Sequence, residues 1–373
     1  MTDSDFPLIK ELQNKGIDVV AYFPMTPLNK KSGLISVERM KECDDIIPAC
    51  EYPEFLDYKE YMDLSSIYVI NSYHYRLRDL KAWGLWVKVL KHMKKQNADV
   101  FHSIWPLSYC NTILHLLRIK KVFTVHDPFP HSGQESHYDE FNRRTCFKSA
   151  DALVILNKEQ KESFISAYKV PREKIFDNKM GLFSCYRIFP PLDINIKGDY
   201  LLFFGNIHPH KGVDFLLDAM LKVHEKHPSV QLIVAGRGKY YFDIEKYKDL
   251  DYIHFINEYI TVPRLVGLLK GCLFSVVPYV DATQSGVVQT AFSLDVPLVV
   301  TNVGALPEVV KDGVMGRVVS PRDSEALASS IIDILDNPDV LNDYKQNIDL
   351  IWAKEMDWSP IAEKYIAMYK KIL

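Results

Sequence analysis

The sequence predicts an α/β protein made of two Rossmann-like, doubly wound lobes facing across a cleft. Three observations carry this expectation. The chain has 373 residues, more than a single hydrophobic core usually organises, so two domains of ordinary size are expected. Apolar residues make up 47 % and charged residues 25 %, the mix of a globular chain and not of a disordered or fibrous one. Strand-length apolar runs alternate with longer amphipathic ones, as in a parallel sheet wrapped by helices.

The first lobe is expected over residues 1–180. It opens into a helical segment, Phe6 to Lys15, and then shows strand-length runs at Ile17 to Phe23, Val100 to His102, Val122 to Val125 and Ala152 to Leu156. Residues 181–198 hold Gly181, Pro190, Pro191 and Gly198 with little periodicity, which reads as a linker. The second lobe, 199–358, brings strands at Tyr200 to Phe204, Val230 to Ala235, Tyr252 to Phe255, Leu273 to Val277 and Leu298 to Thr301. Segments of helical period lie between and after them, such as Val213 to Lys226 and Ser324 to Leu335. The end, 359–373, is a helix introduced by Ser359-Pro360, a cap and first-turn proline. It is open to packing on either lobe, a return to the first included. Ligands of such sheets sit beyond the carboxyl ends of the strands, where helix N-termini present free amides.

Composition narrows the function. Lys and Arg number 45 against 48 Asp and Glu, a net charge of -3, too balanced for a nucleic-acid partner across the surface. Any anion site must be local. Six scattered cysteines without a CxxC pair suggest free thiols in a reducing compartment. No leader pattern and no apolar window near 18 residues stands out, so a cytoplasmic location is expected.

Three strings carry chemistry. In FFGNIHPHKGVDFLLDA, Phe203 to Ala219, a strand runs into Gly205, a polar turn and then Lys211-Gly212 where a helix begins. An ammonium and free amides at a positive helix end suit a diphosphate; the plain alternative is a solvated lysine beside a turn glycine. In DATQSGVVQTAFSLDVPLVVT, Asp281 to Thr301, Thr283, Gln284, Ser285 and Gly286 precede another helix start. Small residues let amides approach phosphate oxygens closely, although Ser-Gly also simply caps helices. The third string is GALPEVVKDGVMGRVV, Gly304 to Val319.

Together with LIVAGRG and VPLVVTNVGALPEVVKDGVMG, these strings resemble the donor lobe of retaining nucleotide-sugar glycosyltransferases with the GT-B fold, the family 4 type. The resemblance is clear from about Tyr200 to Leu335 and fainter at KVFTVHDPFPHSG, Lys121 to Gly133, which resembles the family's acceptor-lobe segment. It implies that Lys211, after Gly205, neutralises the donor diphosphate and that Ser285, Gly286 and Val287 offer it backbone amides. It implies further that Tyr259 and Ile260 cover the base, that Arg237 lines the nucleotide pocket, and that Glu308 is the family's acidic position. His126 matches the histidine that faces the transferred sugar, and Asp127 and His131 fall on the acceptor side. Asp127 either fixes the imidazole tautomer or caps the following turn, the cap being favoured.

The chain departs from the family pattern in three places. Asn206 stands where relatives often have an arginine on the phosphates. The family's two glutamates eight positions apart are replaced by Asp281 and Gln289, or by Ala282 and Thr290, so Gln289 or Thr290 must meet the ribose differently. The usual first strand is missing, leaving the first sheet with an unpaired edge or a rearrangement.

The resemblance implies a metal-independent, retaining hexosyl transfer. The donor is a UDP- or GDP-linked sugar and no separate cofactor is needed; the acceptor is a glycan or lipid-linked. Surface polysaccharide assembly is the implied setting. Lysine and amides preorganised on the leaving diphosphate supply the electrostatics. Asp-X-Asp triplets at Asp249-Leu250-Asp251 and Asp3-Ser4-Asp5 read as solvated loops and not as a metal site. Two other readings stand: an epimerase or hydrolase on the same fold, which needs acids poised in the cleft, and a non-catalytic nucleotide or glycan binder. Finally, Arg76 to Gln96 holds seven basic residues and one acid, with Trp83 and Trp86 among them. This is either an amphipathic helix with solvated lysines or a peripheral contact with anionic membrane through interfacial tryptophans.

Overall fold

The computed structural model describes residues 2–373 apart from Asp127, Thr283, Gln284 and residues 130–135, with the backbone alone for Thr2, Ser32, Trp352 and Ala353. The chain divides into two compact units, 1–181 with 358–373, and 182–357.

Unit 1 begins with helix α1 (Thr2–Asn14), ended by Gly16 at φ +74°. The first strand, β1 (Ala21–Met25), starts later than the apolar run suggests. Ile17 and Val19 instead pack against a core layer without joining a ladder. β1 runs parallel to β3 (Ile67–Ser72), and β2 (Asp44–Pro48) is antiparallel to β3. This three-stranded sheet is ordered β1-β3-β2. Helix α2 (Leu80–Lys95) is capped by Asp79, whose side chain accepts from the Lys81 amide. A second sheet is all parallel: β4 (Val100–Ser103), β5 (Lys120–Val125), β6 (Ala152–Ile155) and β7 (Ile175–Asp177), in that order. Of its two middle strands, β6 (ALVI) is apolar and buried throughout, and β5 is buried from Val122 on, as strands covered on both faces are. Between β5 and β6 lies α3 (His137–Ser149).

The C-terminal helix Trp358–Ile372 belongs to unit 1. Trp358, Ile361, Ala362, Tyr365 and Met368 recur at helical spacing and bury against Leu8 and Leu12 of α1 and against Val122, Ala152 and Val154 of β5 and β6. Lys15 Nζ ties α1 to this helix through Ser359 at 2.8 Å and Glu363 at 2.9 Å. The helix starts at Trp358, so Pro360 does lie in its first turn, while Ser359 is its second residue and not its cap.

Residues 182–198, expected as a linker, are packed into unit 2. Leu182, Phe183, Cys185 and Tyr186 are buried around a 3-10 turn, Ser184–Ile188. Arg187 donates to the Ser293 carbonyl and pairs with Asp295 at 2.9 Å. A three-residue turn has no 3.6 periodicity, which is why this apolar stretch looked structureless. Unit 2 holds a six-stranded parallel sheet of β8 (Tyr200–Phe204), β9 (Gln231–Ala235), β10 (Ile253–Ile256), β11 (Ser275–Val277), β12 (Leu298–Thr301) and β13 (Gly316–Val319). The order is β10-β9-β8-β11-β12-β13. The chain thus winds outward from β8 in one direction, returns, and winds outward from β11 in the other. The boundary between β8 and β11 is the topological switch point, the place where sheets of this kind carry their ligand crevice. Helices α4 (Val213–Lys226) and α5 (Gly286–Ser293) follow those two strands. α4 buries Val213, Leu216, Leu217, Met220 and Val223, the apolar stripe seen in the sequence.

Candidate functional site

At the carboxyl end of β8 the chain passes through Gly205 and Asn206 to a short 3-10 turn, Pro209–Lys211, and then to Gly212, which caps α4 with φ +62°. A Cβ at Gly212 would lie 2.0 Å from the Pro278 carbonyl oxygen, so only glycine lets this loop close on the one after β11. The Val280 amide donates to the His210 carbonyl at 2.9 Å and fixes the two loops together. Lys211 is held across this junction. Its ammonium lies 3.7 Å from the ring centroid of Tyr279, a cation–π contact that orients the charge without neutralising it. Tyr279 is fully buried, and its carbonyl accepts from the Thr301 hydroxyl.

On the β9 side, Gly236 has φ +145° and a Cβ there would meet the Gly205 carbonyl at 2.0 Å. The Arg237 carbonyl accepts from the Ile207 amide at 3.0 Å, leaving an exposed Arg237 side chain beside the β8 loop. On the β11 side α5 begins at Gly286. Val287 Cγ2 lies 3.6 Å from where a Gly205 Cβ would be, which brings the first turn of α5 against the end of β8. Ser285 is buried, with a long contact of 3.5 Å to the Tyr279 hydroxyl. Gly205, Asn206, Lys211, Arg237, Ser285, Gly286 and Val287 thus gather at the switch point. A cation beside the opening turn of a helix is the arrangement that an anion site requires.

The remaining expected residues lie on other segments of unit 2. Tyr259 and Ile260 follow β10, and Glu308 sits on the short helix Leu306–Val309 after β12, all at the carboxyl edge of the sheet. Gln289 and Thr290 are buried inside α5. The Thr290 hydroxyl donates to the Gly286 carbonyl at 2.9 Å, while Gln289 Oε1 is buried with no hydrogen-bond partner among the described residues. Thr283 and Gln284 lie outside the described residues. Asp249 and Asp251 are exposed just before β10, at the amino end of the sheet and opposite the crevice. Among the described residues no three His, Cys, Asp or Glu side chains converge to hold a metal ion.

In unit 1, His126 follows β5 and stacks on Trp105, with centroids 5.7 Å apart and planes at 13°. It borders a small cavity whose polar wall includes Ser4, Asp5, Thr124, Lys179 and Tyr365. Desolvation pushes the Asp5 carboxyl up to about 7. Beneath the cavity runs a polar chain. Tyr369 Oη meets His102 Nδ1 at 2.6 Å, His102 Nε2 meets Thr124 Oγ1 at 2.8 Å, and Thr124 meets Tyr365 Oη at 3.2 Å. Burial, and secondarily the neighbouring His126, hold the His102 imidazole down at about 4, so it is neutral. Burial likewise lifts the Tyr365 phenol to about 12. Asp127 and His131 fall outside the described residues.

Tyr279, His102 and Asp5 were missed in the sequence. Tyr279 had a usable signal, since an aromatic right after a strand of this lobe falls at the carboxyl edge. Asp5 is brought to the cavity by α1 and His102 beneath it by β4, a placement no local pattern encodes. The tryptophans of α2 are corrected: Trp86 is only 8 % exposed within the core and Trp83 is half-buried, its Nε1–H donating to the Leu77 carbonyl at 2.9 Å. Trp86 is thus a core residue, and the Trp83 indole N–H is engaged within the chain. No helix among the described residues is long and apolar enough to cross a membrane. All six cysteines are free.

Two family models match the chain, one described as Glycosyltransferase Family 4 over residues 7–176 and one as Glycosyl transferases group 1 over residues 198–337. Among curated proteins, the phosphatidyl-myo-inositol mannosyltransferase of Mycobacterium leprae is 28 % identical over 182 residues, 47 % of each chain. The chain therefore spans about half the length of that relative. An uncharacterized glycosyltransferase of Methanocaldococcus jannaschii is 22 % identical over 84 % of this chain and 87 % of its own. Among solved structures, HepE of Anabaena in complex with UDP-glucose superposes with a TM-score of 0.62 at 16 % identity, over 84 % of this chain and 89 % of that one; the likeness shows the fold alone. With one model on each half and the two-Rossmann architecture in common, the chain belongs to the GT-B glycosyltransferases of the family 4 type.

Proposed function

We propose that the chain is a metal-independent, retaining glycosyltransferase that moves a sugar from a UDP- or GDP-linked donor to a glycan or lipid-linked acceptor. The observation that carries this reading is Lys211, held over Tyr279 at the β8/β11 switch point beside the opening turn of α5. Transfer requires a leaving nucleoside diphosphate to be stabilised as its bond to the sugar breaks. A fixed ammonium and preorganised amides do this, each worth a few kcal/mol in comparable sites. The acceptor side is assigned to His126 in unit 1, stacked and so held in one orientation. The UDP-glucose in the Anabaena structure supports the donor class, and the inositol lipid in the name of the mycobacterial relative supports a lipid-linked acceptor; surface polysaccharide assembly is the setting this reading proposes.

The exposed face of α2, with Lys81, Lys88, Lys91, Lys94 and Lys95, would touch anionic membrane electrostatically, since Trp86 is a core residue and the Trp83 indole N–H is engaged within the chain. Metal independence rests on placement, because the Asp249 and Asp251 triplet is at the wrong end of the sheet.

The experiment is a thermal-shift screen of UDP and GDP sugars followed by transfer of a radiolabelled sugar. Stabilisation by a nucleotide with turnover supports the enzyme; stabilisation without turnover favours the non-catalytic binder. Release of free sugar as the main product favours a hydrolase. Full activity in EDTA is expected, and loss of activity contradicts the metal-free mechanism. His126→Ala should depress turnover more than donor binding.

A further inference from the structure

The loop between Gly205 and Lys211 carries two histidines that the donor site as described does not use. His208 Nδ1 and His210 Nδ1 lie 2.6 Å apart, with ring centroids at 4.4 Å. At that separation one nitrogen must donate and the other accept, so the neutral pair already shares a single Nδ1 proton. One further proton makes an imidazolium hydrogen-bonded to an imidazole, a cation whose charge is spread over both rings. The pair cannot drift from the crevice, because the His210 carbonyl is bonded to the Val280 amide and Lys211 follows directly. Asn206, on the same loop, supplies no charge.

We propose that the His208–His210 pair is a proton-coupled second cation of the diphosphate site, taking up a proton from solvent when a nucleotide diphosphate binds. This rests on the donor-binding reading above and adds to it a regulation by pH. The charged and titratable groups on the segments bonded to this loop are Lys211 on the loop itself, Arg237 after β9, and Tyr279 and Asp281 after β11. Asp214 in the first turn of α4 is paired with Tyr241 at 2.7 Å. In the free protein Lys211 and Arg237 oppose a charged imidazole pair while Asp281 favours one, and an arriving diphosphate adds negative charge on the favourable side. By linkage, a pair whose proton affinity rises on binding makes binding tighter as pH falls.

The test is calorimetric titration of the full chain with UDP-glucose and with GDP-mannose from pH 6 to 8, in buffers of different ionisation enthalpy. These donors suit it because a diphosphate esterified at both ends does not titrate in this range. We expect net proton uptake near pH 7. A rise of one unit in the pair's proton affinity predicts binding about fivefold tighter at pH 6 than at pH 8. His208→Asn and His210→Asn should each remove the uptake and flatten the pH profile, whereas Lys211→Ala should weaken binding at every pH and keep the uptake. Binding of wild type with no buffer dependence and a flat profile overturns the inference while leaving the donor reading intact, and needs no variant to fold. Uptake that persists in both histidine variants also overturns it. Failure of either nucleotide to bind at any pH removes the donor reading and this inference with it.

Discussion

Replacing Gly212 by alanine tests whether the switch point is built as described. The residue sits at φ +62°, where a side chain costs roughly 1–2 kcal/mol. Its new methyl group would lie 2.0 Å from the Pro278 oxygen, 3.1 Å from the Pro278 carbonyl carbon and 3.4 Å from Val280 Cγ1. The first partner is backbone, so relief requires the β8 and β11 loops to separate, at about 1–3 kcal/mol for an overpacked site. Together these give about 2–5 kcal/mol. In a unit of this size, each kcal/mol lowers Tm by roughly 2–4 °C, so unit 2 should melt about 5–15 °C earlier by scanning calorimetry. UDP affinity should fall too, because the same displacement moves Lys211 away from α5. Gly84→Ala is the control. Gly84 is in the middle of α2, exposed, with nothing within 4 Å of its Cβ position, and alanine there should stabilise unit 1 by about 0.5–1 kcal/mol. If Gly212→Ala melted within a degree of wild type and bound UDP unchanged, the loops would not be joined as described.

Three further outcomes follow from the same geometry. Lys211→Ala removes one charged partner of the diphosphate, worth about 1.5–3 kcal/mol, and should weaken UDP binding roughly 10- to 100-fold by titration calorimetry without lowering Tm. His102, held neutral at about 4 against 6.5 in the unfolded chain, binds no proton where the unfolded chain binds one, so stability falls as pH drops between those values. The loss reaches at most about 3 kcal/mol and is constant below pH 4; in urea titrations His102→Gln should flatten that part of the profile, and an unchanged slope would contradict the burial argument. On the α2 face, Lys88→Glu with Lys91→Glu and Lys95→Glu should reduce co-sedimentation with phosphatidylglycerol vesicles at low salt, and equal binding by wild type and variant would dismiss that surface.

How far the sequence disclosed all this depended on whether the signal was local. β8 and β12 fall where their apolar runs begin and end, and α4 spans its full periodic stretch, because a doubly covered strand and an amphipathic helix each write their burial into consecutive residues. β2 was illegible: its DDIIP sequence starts with two aspartates and ends in proline, and it becomes a strand only through pairing with β3. The 3-10 turn at Ser184–Ile188 was hidden for want of a helical period. At the crevice, Gly205, Lys211 and Gly286 announced themselves through small residues next to strand and helix ends. Tyr279 and the histidine pair did not, because their part depends on which loop lies across from which, and that is fixed by the strand order. The polar chain Tyr369–His102–Thr124–Tyr365 was the least visible, since two of its members come from the last helix and two from strands hundreds of residues earlier.

The most direct test is a crystal structure of the chain soaked with UDP-glucose or GDP-mannose. The account predicts diphosphate density within hydrogen-bond reach of Lys211 Nζ and of the backbone amides that open α5 at Gly286 and Val287. A nucleotide bound clearly elsewhere in unit 2, with Lys211 still resting on Tyr279 and untouched, would contradict it.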